Sequence, residues 1–366
     1  MDEYLKQVAN HFDFEGELTD ITNVSIGLIN DSFIVTYVSS GKRVRYLLQK
    51  INNYVFKKPV EVMSNIVSVT EYLNEKNKNS GLFDPEKSIF VIPSKDGKPY
   101  YLSEKGEFFR AYNYIENTYS IDCVSQAKDA FNAGKAFGGF IYSLKDTDPE
   151  SLFVTIPDFH NTIKRYANLL DAIKNDSFGR VKEVAKEIEL IDKIKDGVFV
   201  ITEKYESGEI PCRVIHNDTK INNVLFDKDT HDVVCVVDLD TIMPGSFLHD
   251  FGDAITTGAV REENGKLVLE LDYYEHYVRG YLSSCINMLT RNEIELMPLA
   301  AKTLAFEVMT RFLADYLSGD VYFKTTYEGQ NLDRTRQEIS LVVDMIGKTD
   351  KMKEITKRCF EELSNA

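Results

Sequence analysis

The sequence contains no tryptophan, only 9 prolines and only five cysteines among its 366 residues. The cysteine count is odd, the cysteines are widely spaced, and no CxxC pair occurs. This pattern argues against a disulfide framework and against a zinc site, because both require closely organised thiols. We interpret the cysteines as buried, reduced thiols.

The sequence also shows no pattern typical of a signal peptide or of a membrane-spanning segment. The segment MDEYLKQVANHF has neither the basic region nor the apolar region of a signal peptide, and it reads as an acidic amphipathic helix. No apolar run approaches the ~18 residues of a membrane span. Acidic residues outnumber basic residues by 58 to 43, and the resulting net charge of −15 disfavours non-specific binding to nucleic acid or to an anionic membrane. We expect a cytoplasmic monomer or small homo-oligomer with no nucleic-acid or membrane partner.

Apolar residues are plentiful: 43% of the chain is hydrophobic, with 22 Phe and 20 Tyr, so a sizeable core can form. From about residue 21 to residue 51, apolar and polar residues alternate, which predicts strands with a hairpin turn at SSGK. The next segment, KPVEVMSNIVSVTEYLNEK, predicts a helix with Val60, Met63, Ile66, Val67 and Leu73 on one side. Two short strands around a DGK turn and a further strand, GEFFRAYNY, follow.

The rest of the chain is mostly helical in pattern, for example in QAKDAFNAGKAFGGFIYSL and RVKEVAKEIELIDKIKDGVFVITEKY. The sequence therefore predicts an α+β protein with two lobes sharing a cleft. We place the sheet-rich N-terminal, nucleotide-binding lobe at residues 1–116 and the helical, catalytic and substrate-binding lobe at residues 117–366.

One stretch concentrates polar side chains at the ends of short strands: VIHNDTKINNVLFDKDTHDVVCVVDLDTIMPG, residues 214–245. It contains His216, Asp218 and Asn223 in the pattern H-x-D-x-x-x-x-N, and Asp238 at the end of an apolar strand. A carboxylate at a buried strand end is costly unless it is paired or binds a metal. This arrangement is that of kinases, in which the first Asp accepts the hydroxyl proton and the Asn and later Asp hold magnesium.

The sequence therefore predicts that Asp218 is the catalytic base and that Asn223 and Asp238 bind Mg²⁺. If Asp238 is structural, Asp240 becomes the alternative metal ligand. Downstream, in HDFGDAI, Asp250 is expected to be buried and to accept backbone N–H groups of the catalytic loop, thereby holding Asp218 in place.

The segment NVSIGLINDSF precedes the first hairpin and has a single glycine, so it is a weak phosphate loop on its own. In the context of the downstream motif, Ser25 and Gly27 are predicted to lie over the ATP phosphates. Asn30 and Asp31 follow, where a polar side chain facing the cleft would contact the acceptor.

A kinase fold expects a Lys on the strand RVRYLLQKI. Period-2 alternation leaves two alignments open, one with Gln49 and one with Lys50 facing the phosphates. Glu61 is the candidate helix partner, although an acid in a first helical turn has a simpler explanation. The segment YNYIENT is predicted to be the hinge, where the backbone of Tyr114 and Ile115 would bind the nucleotide base.

Several stretches together resemble the aminoglycoside phosphotransferase and choline kinase superfamily: HNDTKINNVLFD, VVDLDTIMPGS and DFGDAI. Along with LINDSF, LLQKINNYVF and RFLADYLSGDVYFK, they are similar to the bacterial N-acetylhexosamine 1-kinase family. The resemblance implies a bilobal protein-kinase-like fold and phosphorylation of the anomeric C1 hydroxyl of GlcNAc or GalNAc by ATP and Mg²⁺. It also implies that Arg311 and Tyr322 lie in the sugar pocket.

Other functions stay open at this point. A kinase of choline, homoserine or an aminoglycoside would share the motif, although a cationic acceptor calls for acids or an aromatic cage in the pocket. Arg311 argues mildly against such an acceptor. A pseudokinase that only binds ligands would be expected to lack the base or the metal ligands, and all three are present. A protein kinase is disfavoured because the only DFG lies twelve residues past Asp238 and no APE closes an activation segment.

Overall fold

The computed structural model describes residues 3–24 and 29–365. In chain order, the N-terminal part contains α1 (Glu3–Ala9), β1 (Glu17–Val24), β2 (Asp31–Ser39), β3 (Lys42–Lys50), α2 (Pro59–Ser80), β4 (Val91–Ile92), β5 (Tyr101–Leu102) and β6 (Phe108–Asn113). The six strands form one antiparallel sheet in the order β1-β2-β3-β6-β4, with β5 also paired to β6. The predicted hairpin is confirmed, and its turn residues Ser40 and Gly41 both have positive φ.

The two faces of this sheet have different partners. Helix α1 covers one face, where Leu5 and Val8 pack with Leu48 and Phe109. Helix α2 lies toward the other face and joins a cluster that includes Leu239 and Ile242 from the C-terminal part. The face under α2 is therefore the face that meets the rest of the molecule.

The predicted apolar side of α2 is partly wrong. Val60 is 49% exposed, whereas Val62, Met63, Ile66 and Val69 are buried. The helix begins at Pro59, so Val60 lies in a first turn whose side chain points away from the sheet, and the 3–4 spacing that packs begins at Val62.

The C-terminal part is largely helical. Its elements are β7 (Thr118–Tyr119), α3 (Ala127–Ser143), α4 (Thr162–Asn175), α5 (Ala185–Ile194), α6 (Val200–Glu206), β8 (Arg213–Ile215), β9 (Val224–Asp227), β10 (Val233–Val236), β11 (Met243–Gly245), α7 (Phe247–Gly258), β12 (Val260–Glu263), β13 (Lys266–Leu269), α8 (Leu271–Cys285), α9 (Arg291–Leu317) and α10 (Gln330–Ser364). The pattern that suggested one helical run ending near residue 205 forms separate helices, because Gly197 adopts φ 78 between α5 and α6. The predicted α+β class is confirmed.

Helices α3 and α8 pack with their backbones in close contact. A Cβ on Gly134 would lie 2.3 Å from the Tyr277 carbonyl oxygen, and a Cβ on Gly280 would lie 2.0 Å from the Phe131 carbonyl oxygen. Glycine is therefore required on both helices. This packing fixes α3, which supports the catalytic loop described below.

The chain changes partners between Glu116 and Asn117. The Glu116 carboxylate pairs with Arg45 of β3, whereas the Asn117 carbonyl accepts the N–H of Lys228, just after β9. A division between lobes after residue 116 remains our proposal. Within residues 3–24 and 29–365, no helix has both the length and the apolar character needed to cross a membrane.

Candidate active site

Two small sheets bring the parts of the polar stretch together. Strand β8 pairs with β11 and leads into His216, while β9 pairs with β10 and follows Asn223 directly. The N–H of Val237 donates to the Asn223 carbonyl over 2.9 Å, which places Asp238 next to Asn223. The predicted loop and strand pair are therefore confirmed.

His216 is a buried support for the loop rather than a reacting group. Its Nε2 lies 2.9 Å from the Val237 carbonyl oxygen, and its Nδ1 accepts the Asp218 N–H over 3.3 Å. The rings of Phe137 and Phe140 on α3 pack edge-on against the imidazole. Burial lowers the pKa of His216, so the ring stays neutral and can donate with one nitrogen while it accepts with the other.

Two carboxylates of helix α7 hold the catalytic loop by accepting hydrogen bonds from backbone N–H groups of the loop. The Asp250 carboxylate accepts the N–H of His216 over 2.8 Å and that of Asn217 over 2.7 Å, and the residue is 2% exposed. The predicted contact of Asp250 is therefore confirmed. One turn later, Asp253 accepts the N–H of Thr219 over 2.8 Å. Burial raises the pKa of Asp250 to about 7 even though the two N–H donors oppose the shift.

Asp218 emerges from this fixed loop with its side chain 26% exposed. One carboxylate oxygen lies 2.6 Å from the Lys220 ammonium, and the other lies 3.4 Å from the Asn223 amide nitrogen. Burial opposes ionisation, but Lys220 outweighs it, and the pKa of Asp218 lies below its ordinary value. Lys220 was not predicted, although it lies inside the motif HNDTK.

Asp238 adopts a left-handed backbone with φ 63 and ψ 61, between Val237 and a short 3-10 turn. Asp tolerates this conformation better than most residues. The side chain accepts no hydrogen bond from the described residues, and the residue is open to solvent. Although Asp238 is exposed, the protein atoms packed around it desolvate its carboxylate, and this effect together with the nearby carboxylates of Asp240 and Asp218 raises the pKa of Asp238 to about 7.

This set of oxygens fits a divalent cation. The side-chain amide nitrogen of Asn223 donates to Asp218, which leaves the side-chain oxygen Oδ1 of Asn223 available to bind a cation. Asp238 contributes a carboxylate without a partner among the described residues, and a cation would relieve its repulsion from neighbouring acids. Hard oxygen ligands of this kind are those that magnesium prefers.

Asp240, the alternative metal ligand, is engaged elsewhere. It is buried and forms an ion pair with the guanidinium of Arg110 from β6. Its second oxygen accepts the Asn30 amide N–H over 2.6 Å. Both oxygens have partners, so Asp238 is the better placed metal ligand. Arg110 was not predicted; the only signal was one basic residue in the apolar strand FFRAYN.

The register of the sheet distinguishes Gln49 from Lys50. Gln49 lies opposite Arg110 on β6, and its Oε1 accepts from the Nε of Arg110 over 3.0 Å and from Nη2 over 2.9 Å. Lys50 lies opposite Phe109, whose ring packs under α1. Because opposed residues share a face, Gln49 is on the side of Asp240 and Lys50 is on the other.

Lys50 and Asp31 lie together on the α1 side. The Lys50 ammonium is 2.7 Å from Glu107 and 4.0 Å from Asp31, two residues that line a surface cavity with it. The structure does not bring either residue together with Asp218. This placement supports neither phosphate binding by Lys50 nor acceptor binding by Asp31.

Asn30 and Glu61 also have partners other than those expected. Asn30 donates to Asp240, and its Oδ1 accepts the N–H of Asn52 over 2.9 Å, so its amide is committed to protein contacts. Glu61 pairs with Lys58 in the first turn of α2. Instead, Asn65 of α2 reaches across to the Ile242 carbonyl over 2.9 Å. The predicted phosphate-loop residues Ser25 and Gly27 lie outside the described residues.

The predicted hinge has a defined backbone pattern. The N–H of Tyr114 donates to the Arg45 carbonyl over 3.2 Å, and the Ile115 carbonyl accepts from the Thr118 hydroxyl over 2.9 Å. The Arg45 guanidinium stacks on the Tyr114 ring at 4.2 Å. Because the Tyr114 N–H and the Ile115 carbonyl already have hydrogen-bond partners, the Ile115 N–H is the group that could donate to a nucleotide base.

Arg311 and Tyr322 lie together, as the sugar-pocket prediction requires. The Arg311 guanidinium is 5.8 Å from the centroids of Tyr322 and Phe159, and 5.5 Å from that of Phe323. The loop that carries Tyr322 is held by Asp315, which accepts the N–H of Tyr322 over 2.8 Å and that of Phe323 over 3.0 Å. Arg311 therefore lies among aromatic rings and not in bulk solvent.

A buried ion pair connects this aromatic group to the catalytic loop. His160 Nδ1 lies 2.9 Å from Glu307, one helical turn before Arg311, and its Nε2 lies 3.1 Å from the Asn217 carbonyl oxygen. Burial opposes the charge on His160, but Glu307 outweighs it and raises the pKa of His160. His160 thus links Glu307, one helical turn before Arg311, to the residue before Asp218. His160 was not predicted, because no local motif marks it.

The chain is similar to known phosphotransferases in sequence and in fold. The model of the phosphotransferase enzyme family matches residues 96–283, just over half of the chain and the whole catalytic loop. A microcompartment-associated aminopropanol kinase is similar at 16% identity, with 96% of this chain and 98% of that chain covered and a TM-score of 0.64. A spectinomycin phosphotransferase in complex with ADP and its antibiotic is similar at 14% identity, with 95% and 98% covered and a TM-score of 0.55.

An ethanolamine kinase from Plasmodium vivax is similar at 12% identity, with 91% of this chain and 84% of that chain covered and a TM-score of 0.52. At such identities the similarity shows the fold alone. The fold shared with these phosphotransferases confirms the predicted protein-kinase-like architecture.

Proposed function

The chain belongs to the phosphotransferase enzyme family and is a small-molecule kinase acting on an alcohol group, and we propose that its acceptor is the anomeric C1 hydroxyl of an N-acetylhexosamine. The observation that carries this proposal is the positive, ring-lined region next to the catalytic loop. Arg165 donates to the Phe159 carbonyl over 2.8 Å and the Arg311 guanidinium is 5.8 Å from the Phe159 ring, so two guanidinium groups lie close together there. Burial, together with repulsion from Arg311, lowers the pKa of Arg165. A neutral sugar rich in oxygen acceptors suits this region better than an amine.

ATP is the phosphoryl donor in this proposal. The Ile115 N–H would bind the adenine base, and Gln49 would lie near the cleft on the same sheet face as Arg110. Asp238 and Asn223 would hold Mg²⁺, which would neutralise the negative charge that develops during phosphoryl transfer. No Lys of β3 faces this side, so the protein relies on the metal ion and on other cations.

Asp218 would orient the acceptor hydroxyl. Its fixed position gives the hydroxyl one direction of approach, which supplies the proximity that phosphoryl transfer needs. Its pKa lies below the ordinary value, so it is a weak base and would receive the proton late, when the oxygen–phosphorus bond is largely formed. The Lys220 ammonium beside it would then stabilise negative charge near the transferred group.

An acceptor panel tests the proposal directly. ADP release would be measured with GlcNAc, GalNAc, glucose, choline, ethanolamine, homoserine and kanamycin as acceptors. We expect kcat/KM for one N-acetylhexosamine to exceed that for every amine by at least about 100-fold, because burying an ammonium beside Arg311 is unfavourable. The product should be acid-labile, as a sugar 1-phosphate is. Turnover with choline or an aminoglycoside at a comparable rate would contradict the proposal.

Replacing Arg311 with alanine tests the pocket. Loss of two charge-assisted hydrogen bonds to sugar oxygens should raise KM for the sugar roughly 10- to 100-fold, whereas KM for ATP should change less than about threefold. The matched control is Arg291→Ala, an exposed position on the same helix α9, which should leave both constants unchanged. An unchanged sugar KM in the Arg311 variant would remove this residue from the pocket.

A further inference from the structure

Arg110 on β6 is a positively charged residue buried in the N-terminal sheet, where it is only 1% exposed. Its Nε and Nη2 donate to Gln49 Oε1, and its Nη1 forms an ion pair with Asp240. Gln49 in turn donates to the Ser32 hydroxyl over 2.9 Å. The guanidinium is therefore fixed by neighbours on one sheet face and extends from that face to a loop of the C-terminal part.

The loop that Arg110 reaches is the one that carries the proposed metal ligand. Asp240 lies two residues after Asp238, and the backbone between them forms the short 3-10 turn. Asn30 holds the other oxygen of Asp240, and Asn65 of α2 holds the Ile242 carbonyl. Three side chains from the N-terminal part thus hold two residues of this loop, Asp240 and Ile242, while Asp238 itself is left without a protein partner among the described residues.

In protein kinases a Lys on the third strand provides the cation at this place and pairs with a helix acid. Here the residue of β3 that faces the loop is Gln49, which carries no charge, and the helix acid is absent because Glu61 pairs with Lys58. The only cation that the described residues present on this sheet face next to Asp240 is Arg110, from the adjacent strand β6. Gln49 acts as its support.

We propose that Arg110 is a positioning residue that replaces the missing β3 lysine by holding Asp240, so that Asp238 is presented to the Mg²⁺–nucleotide complex. Asp240 is then a link between the two parts of the chain and not a metal ligand. Arg110 is 1% exposed and its contacts are with Gln49 and Asp240, so its role in this proposal is to support Asp238 and not to contact the phosphates directly. A buried carboxylate that loses its cation is strongly unfavourable, which makes the link sensitive to either partner.

This inference rests on the proposed use of Mg²⁺ and ATP but not on the identity of the acceptor. The test is therefore ATP binding measured by calorimetry, with and without Mg²⁺, in the absence of any acceptor. The variants are Arg110→Met, Arg110→Lys, Asp240→Asn and the double variant Arg110→Met/Asp240→Asn. The control is Arg43→Met, an exposed arginine of the same sheet.

We expect Arg110→Met to weaken Mg²⁺-dependent ATP binding about 10- to 100-fold, as loss of a residue supporting a metal ligand does. Binding of ATP without Mg²⁺ should change less than about threefold. Arg110→Lys should recover part of the loss because it restores the charge without the fork of donors. The double variant should bind better than Arg110→Met alone, since no unpaired carboxylate remains beside Asp238.

Two results would overturn the inference. Equal weakening of ATP binding with and without Mg²⁺, with additive effects in the double variant, would show that Arg110 contacts the phosphates itself. Wild-type Mg²⁺ dependence in Arg110→Lys and Asp240→Asn would show that the link is merely structural, and these two variants decide the matter even if Arg110→Met fails to fold. A wrong choice of sugar acceptor would leave all of these binding data unaffected.

Discussion

The Asp238→Ala variant is expected to lose Mg²⁺-dependent turnover almost completely, with kcat/KM reduced on the order of 10³-fold or more. A metal ion contributes several kcal/mol of charge stabilisation to phosphoryl transfer, and each 1.4 kcal/mol corresponds to about tenfold in rate. Asp238 is the charged member of the proposed ligand set, so its removal should reduce activity more than Asn223→Ala, which removes a neutral amide oxygen.

The backbone of Asp238 calls for a second variant. Its φ of 63 lies in the left-handed region, where alanine is disfavoured by about 1–2 kcal/mol. Asn tolerates this conformation and has the same shape as Asp, so Asp238→Asn removes the charge without straining the turn. We expect Asp238→Asn to keep the melting temperature of the wild type and to lose most of the activity.

Turnover would be measured against Mg²⁺ concentration at saturating ATP, together with the melting temperature of each variant. Rescue of Asp238→Asn by a higher Mg²⁺ concentration would agree with a weakened metal site. If both Asp238 variants keep the normal Mg²⁺ dependence, then the strand-end acid is structural, and the assignment of Asp240 as a mere link would also have to be withdrawn.

The parts of the fold that sequence predicted well depend on local signals. The turn between β2 and β3 was readable because the polar run SSGK supplies Gly41, whose φ of 76 lies in the left-handed region that glycine adopts freely. The change from alternating to helical periodicity separated the sheet from the helices. The arrangement of Asp218, Asn223 and Asp238 was readable for a similar reason: one continuous stretch forms the loop and both strands of the β9–β10 pair that carry them.

Contacts between distant parts of the chain gave no such signal. Asn30 and Asp240 are 210 residues apart, and nothing near either residue indicates that they meet. The expectation that Asn30 faces a sugar followed only from the polarity of its side chain. In the structure, this side chain donates a hydrogen bond to the buried carboxylate of Asp240. Arg110 was missed for the same reason, because its partner Asp240 lies in another part of the fold.

The choice between Gln49 and Lys50 shows what register adds. Alternation along β3 states only that the two residues face opposite sides, and a single sequence does not say which side carries α1. The pairing of Lys50 with Phe109, a ring that packs under α1, answers this question. Asp31 is placed by the same register, since it lies opposite Lys50 on β2.

The Asp218→Asn variant is expected to keep the fold and nucleotide binding but to lose about 10²–10⁴-fold in kcat. Asn can hold the place of the carboxylate beside Asn223, but it cannot accept the hydroxyl proton. It also leaves the Lys220 ammonium without its partner, which lies 2.6 Å away in the wild type. The loop should stay in place because Asp250 and Asp253 hold its backbone independently of the Asp218 side chain.

The matched control is Asp232→Asn, an exposed acid of the same part of the chain beyond the turn that follows β9, which should leave kcat unchanged. Calorimetry with Mg²⁺ and ATP should give dissociation constants within about threefold of the wild type for both variants, and their melting temperatures should agree. A kcat within threefold of the wild type in Asp218→Asn would exclude Asp218 as the base. A large loss of ATP binding instead would mean that Asp218 acts on the metal–nucleotide complex, because a residue that only orients the acceptor hydroxyl has no contact with ATP before transfer.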